Sequence, residues 1–111
     1  MKFSEIEMSR VPVFELTGKL MGGRESVDLS DRLKDLIVSG KKNIILDFSK
    51  VQWINSGGIG KILSWVMTLR REGGDIHFVG IKGKVDFYFK ITKLYTVLKI
   101  YENKEEALEK I

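Results

Sequence analysis

Apolar residues change their spacing several times along the chain, and each change marks an element. Residues 3–9 and 11–17 alternate apolar and polar positions closely enough to predict two strands. Pro12, the only proline, cannot donate a ladder hydrogen bond, which predicts a sheet edge or the bend between those strands. Residues 18–25, with Gly22-Gly23, read as a loop. Over 26–39, Leu29, Leu33, Leu36 and Ile37 recur on one helical face, and Gly40 closes the helix. Residues 43–48 are almost continuously apolar, as in a strand at the centre of a sheet.

A second helix is predicted over 56–72, with Ile59, Ile62, Leu63, Val66 and Leu69 as its apolar stripe. Lys61, Ser64, Thr68 and Arg71 lie opposite, and Gly73-Gly74 stops it. A strand over 76–81, a helix over 85–92, a short strand over 98–101 and a helix from about Lys104 complete the pattern. Ala107, Leu108 and Ile111 are expected to face inward from that last helix. Strands alternating with helices predict an α/β fold with a mixed, mostly parallel sheet of four to five strands and about four helices. At 111 residues the chain supports one core and so one domain, residues 1–111.

Composition removes several function classes. The absence of cysteine excludes a disulfide framework, a thiol nucleophile and a thiolate metal site. A single histidine, His77, sits inside a strand pattern and cannot build a metal centre alone. No Ser-His-Asp or paired-carboxylate spacing is recognisable, and no Gly-Lys-Ser/Thr follows the glycine pairs as a P-loop requires. The expectation is a non-enzyme without cofactor. The net charge of +4 is dispersed over Lys41-Lys42, Arg70-Arg71, Lys82, Lys84, Lys90, Lys93, Lys99 and Lys104. Nucleic-acid binders concentrate charge beside aromatic platforms, so no nucleic-acid partner is expected. No apolar run approaches the roughly 20 residues of a membrane span, and charges interrupt the first residues. A cytoplasmic protein without membrane insertion is expected.

The chemistry-bearing segment is the junction between the central strand and the second helix, Ile54-Asn55-Ser56-Gly57-Gly58-Ile59-Gly60. It puts one hydroxyl at a helix entrance, where unpaired N–H groups and the helix dipole favour negative charge. By position alone Ser56 reads as a helix cap, its oxygen accepting a backbone N–H one turn in. The glycines leave room for another protein's backbone to approach. Asp47, at the end of the central strand, reads as a partner for backbone N–H groups or a lysine. Trp53 and Trp65 read as core aromatics, an exposed tryptophan near Ser56 being the alternative as a binding hot spot. Phe87 fits equally a packed residue or an extension of an apolar contact surface.

The run Val51-x-x-Ile54-Asn55-Ser56-Gly57-Gly58-Ile59-Gly60, preceded by Ile44-Ile45-Leu46-Asp47-Phe48-Ser49, resembles the signature of the STAS family, specifically bacterial anti-sigma factor antagonists. Leu16-Thr17-Gly18-Lys19-Leu20, Gly73-Gly74-Asp75-Ile76, residues 85–94 and Glu105-Glu106-Ala107-Leu108 match in the same order, so the resemblance spans almost the whole chain. It implies a phosphorylation site at Ser56 and partner binding through Asn55, Ser56, Gly57, Gly58, Ile59, Lys61 and Trp65. The implied partner is an anti-sigma factor of the serine protein kinase type, released from its sigma factor's company when the antagonist docks, and a phosphatase would reset the switch. Asn55 stands where the family usually has aspartate, and Gly57 where many relatives carry a second serine. The alternative that the same resemblance supports is a non-catalytic docking subunit of a larger assembly, a stress-signalling complex or a lipid transporter.

Overall fold

A computed structural model describes all 111 residues. Its elements run β1 (Lys2–Met8), β2 (Val11–Leu20), a 3₁₀ turn, α1 (Val27–Val38), β3 (Asn43–Ile54), α2 (Ser56–Arg71), β4 (Asp75–Val79), α3 (Gly83–Ile91), a second 3₁₀ turn, β5 (Lys99–Tyr101) and α4 (Lys104–Lys110). The five strands form one sheet in sequence order, with β1 antiparallel to β2 and all later neighbours parallel. The expected α/β class, mixed sheet and four helices are therefore observed.

Parallel crossovers are right-handed. When successive strands add in one direction, that rule carries every crossover helix to the same face. α1, α2 and α3 accordingly cover one face, over a core of 21 buried residues that includes Phe14, Leu46, Phe48, Trp65, Phe78 and Phe89. The opposite face has only α4, over a small cluster of Val13, Ile45, Val79 and Ala107. Alternation along β3 serves both sides, since Ile44, Leu46 and Phe48 enter the large core and Ile45 the small one.

Several boundaries differ from the sequence pattern for identifiable reasons. β2 continues to Leu20 and β3 to Ile54, well past the expected ends at 17 and 48. Ser49 and Lys50 break the apolar run, but Val51 and Ile54 are buried and the ladder persists through two register irregularities, after Glu15 and after Gly18. Each gives β3 one residue more than β2, which bends the pair. β4 stops at Val79 because Gly80 takes φ +75°, and a Cβ there would lie 2.7 Å from Ser49 N. Ile111 is 42% exposed, not inward-facing. Pro12 lies neither in the bend, which is Ser9-Arg10, nor on an edge strand: it is the second residue of β2, opposite Glu7 of β1 and one residue before pairing with β3 begins at Val13, so its missing N–H leaves no β3 bond unmade.

Candidate functional site

The parallel ladder delivers the loops after β2, β3 and β4 to one end of the sheet, the usual location of sites in open α/β folds. The prolonged β2–β3 pair carries Leu20 and Ile54 there side by side. The chain then enters α2 immediately. Asn55 is extended, at φ −115° and ψ −177°, and its Oδ1 accepts the Gly58 N–H at 2.8 Å. The first helical bond runs from Ile59 N–H to Asn55 O at 2.9 Å.

Asn55, not Ser56, is therefore the cap. Asparagine is as good a cap as aspartate, which is why the turn survives the missing carboxylate. Ser56 becomes the first helical residue, exposed, with its hydroxyl outside the cap. The positional reading of Ser56 as the helix cap is overturned by that one-residue offset.

The glycines serve a different purpose from the one their sequence suggested. A Cβ on Gly58 would lie 2.2 Å from Leu20 O, and one on Gly57 2.6 Å from Met21 O. A Cβ on Gly22 would in turn meet Gly57 O at 2.3 Å. The close approach they permit is intramolecular: the start of α2 is pressed onto the backbone leaving β2. That backbone is itself held, since the Glu25 carboxylate accepts N–H groups from Met21 at 3.2 Å and Gly23 at 3.1 Å. Hydrogen bonds from its own N–H and from Gly23 hold the Glu25 carboxyl below the ordinary carboxylate range. Ser56 is thus displayed on a rigid corner. A Cβ at position 57 would collide with Met21 O at 2.6 Å, which accounts for glycine there.

Of the other residues expected to bind a partner, Ile59 and Lys61 are half-buried and Gly57 is exposed. Gly58 and Trp65 are buried and present no contact surface. Trp65, 3% exposed, faces α1, where its Nε1–H donates to Ser30 Oγ at 2.7 Å. The outward stripe of α2 runs instead through Ser56, Gly60, Ser64, Met67 and Arg71, all exposed, with Met67 at 54%. Their spacing, in successive steps of 4, 4, 3 and 4, was available in the sequence, but Met67 was hidden as an apolar residue on the polar face.

Trp53 is half-buried and lies edge-on to Tyr88 at 5.2 Å between centroids, with Lys84 Nζ 5.7 Å from its ring centre. Phe87, 60% exposed, contacts Tyr88 from outside, so it extends the surface rather than the core. Asp47 does not lie beside the Ser56 loop: it is seven positions before Ile54 along β3, roughly 23 Å at about 3.3 Å per residue. Burial pushes its carboxyl up, but the Ser49 N–H at 2.8 Å and the Lys104 ammonium at 3.3 Å outweigh this and leave it below the ordinary range. It is a structural tie between β3 and α4. His77 is equally internal, its ring nitrogens 3.0 Å from Asn43 Oδ1 and 3.3 Å from Tyr101 Oη. None of the surface clefts is lined by Gly57 or Gly58. No helix is long and apolar enough to cross a membrane.

Comparison with known proteins follows the same geometry. The family model for the STAS domain matches residues 6–107. A candidate anti-sigma factor antagonist of Thermotoga neapolitana is 30% identical over 77 residues, covering 69% of this chain and 68% of the relative. The crystal structure of a candidate anti-sigma factor antagonist from Thermotoga maritima superposes with a TM-score of 0.84 at 24% identity, over 98% of this chain and 93% of the other. The Bacillus cell fate determinant SpoIIAA in its phosphorylated form gives a TM-score of 0.74 at 20% identity, over 98% of both chains. The match of the STAS domain model over residues 6–107, on a five-stranded α/β sheet of the same fold, thus places the chain in the STAS domain family, among relatives named as anti-sigma factor antagonists.

Proposed function

We propose that this chain is a phospho-switched anti-sigma factor antagonist. Unphosphorylated, it docks an anti-sigma factor that is also a serine kinase, through Ser56, Gly57, Ile59 and the outward stripe of α2, and the sigma factor is released. The kinase transfers the γ-phosphoryl group of ATP to Ser56 Oγ, the hydroxyl proton is lost, and ADP leaves. A phosphatase resets the switch by hydrolysing the ester with water, which restores the Ser56 hydroxyl and releases inorganic phosphate. The observation that carries this reading is the division of labour at the α2 entrance: Asn55 holds the cap, so Ser56 can be esterified without dismantling the helix.

The phosphate adds about 1.5 to 2 negative charges at neutral pH. In the free protein the α2 N-terminus favours that charge by roughly 0.3–1 kcal/mol. In a docked interface the same charge must shed water against a surface fitted to a neutral hydroxyl, which costs several kcal/mol. At about 1.4 kcal/mol per decade, the affinity falls by two decades or more with no change of fold. The names of the relatives and the phosphorylated form of one structural neighbour support the reading.

The test is calorimetric titration of the host's anti-sigma factor with wild type, Ser56→Ala and Ser56→Asp. The alanine variant should bind like wild type, and the aspartate variant at least tenfold more weakly. Equal affinity in all three removes the mechanism.

A further inference from the structure

Beside the Ser56 corner the structure opens a second feature, a cleft of about 830 Å³ between the far half of the β2–β3 pair and the start of α3. Thr17, Ser49, Lys50, Gln52, Lys82 and Lys84 line it, together with Val51 and Gly83. A smaller groove of about 270 Å³, lined by Lys19, Met21, Gln52, Trp53 and Lys84, adjoins it through Gln52 and Lys84. That groove reaches Met21, whose carbonyl packs on Gly57. Four lysines border this continuous depression, and no aspartate or glutamate does.

The charge of these four lysines is not neutralised by neighbours. Arg32, Arg70, Lys90, Lys99 and Lys104 are each within 4 Å of a carboxylate, whereas Lys19, Lys50, Lys82 and Lys84 have no such partner. α3 reinforces the field, because its cap residue is Lys82, which offers no side-chain acceptor to the first-turn N–H groups. Like charges gathered in a concave site raise the local concentration of anions.

We propose that this cleft receives an acidic segment of a docking protein. Its lining decides between the possible anions. Small-ligand sites are largely apolar and enclose their ligand; this one is open, with Val51 its single aliphatic wall residue. It supplies charge complementarity without burial, which suits a segment already tethered by contacts elsewhere. A nucleic acid would need a series of stacking platforms, and the depression offers one ring, Trp53 in the smaller groove, already packed edge-on against Tyr88. That the segment belongs to the protein docking on Ser56 rests on the function proposed above; the charge preference of the cleft does not.

The experiment is an ¹H–¹⁵N NMR titration of the full chain with acetylated, amidated hexaglutamate at low salt. The amides of residues 49–53 and 82–84 should shift saturably, and Lys50→Glu/Lys82→Glu/Lys84→Glu should weaken binding at least tenfold. The corresponding triple Lys→Gln variant, chosen to preserve the fold, should also lose it. Shifts spread evenly over remote lysines such as Lys2, Lys42 and Lys110 would overturn the proposal. So would tighter binding at this cleft by inorganic tripolyphosphate or hexathymidylate, which would mark a small phosphorylated ligand or a nucleic acid. Ser56→Ala should leave the titration unchanged. In the anti-sigma factor titration, wild-type affinity in the Lys→Gln variant alongside a weakened Ser56→Asp would refute the cleft and leave the switch standing.

Discussion

Two glycines of α2, two positions apart, should respond to the same substitution with opposite sign. In a helix, alanine is favoured over glycine by about 0.8–1 kcal/mol. At Gly60 nothing lies within 4 Å of the added Cβ, so Gly60→Ala should collect most of that gain. At Gly58 the methyl would sit 2.2 Å from Leu20 O and 2.9 Å from Ile54 Cγ1. The first contact is with backbone, which cannot swing aside, so either α2 or the end of β2 must shift. Overpacking of this kind costs about 1–3 kcal/mol, and the shift also strains the Asn55 Oδ1···Gly58 N–H bond. The net expectation is a loss of roughly 1–2 kcal/mol for Gly58→Ala and a gain below about 1 kcal/mol for Gly60→Ala. At about 4 °C per kcal/mol for a domain of this size, their melting temperatures should differ by roughly 4–12 °C, Gly58→Ala being the lower. Urea unfolding, with the m-value checked for constancy, reads the same difference as a midpoint shift. A Gly58→Ala protein as stable as wild type would refute the interlock between the two loops.

Other expectations follow from the interior. Burial holds His77 below its ordinary pKa, with Asp75 opposing and Lys99 reinforcing the shift. The unfolded chain then takes up the proton first, near pH 6.5, so stability should fall as pH drops below about 6.5. His77→Gln should flatten that limb in urea midpoints measured between pH 7 and 5; an unchanged slope would contradict the assignment. The two tryptophans should separate by collisional quenching. Trp53→Phe leaves the buried Trp65, whose emission iodide should barely quench, while Trp65→Phe leaves a quenchable Trp53. Trp65→Phe should also lose about 1 kcal/mol with the hydrogen bond to Ser30, read as a lowered urea midpoint.

Much of the architecture was legible in the one-dimensional pattern because the helices are amphipathic and the inner strands apolar. α2 was bounded to within one residue, since Gly73 and Gly74 close it with a motif that needs φ > 0: Gly73 lies at +84°, and Gly74 N–H reaches Leu69 O at 3.0 Å. β3 was cut six residues short, because Ser49 and Lys50 look like a loop until Lys50 is seen to pair with Thr17 and the strand to run on through the buried Val51 and Ile54. Nothing local says that β2 lies alongside to extend the ladder.

The site divides in the same way. That a serine stands at the mouth of an amphipathic helix, beside glycines and without catalytic companions, is a property of neighbouring residues and of periodicity, and the sequence alone determined it. Which residue caps that helix depended on a single backbone offset, and the role of each glycine on a carbonyl more than thirty positions earlier. The burial of Trp65 and the gathering of Lys19, Lys50, Lys82 and Lys84 around one depression likewise join segments far apart in the chain. Such contacts are long-range in sequence and short-range in space, so only the packed sheet, with its helices driven to one face, could decide them.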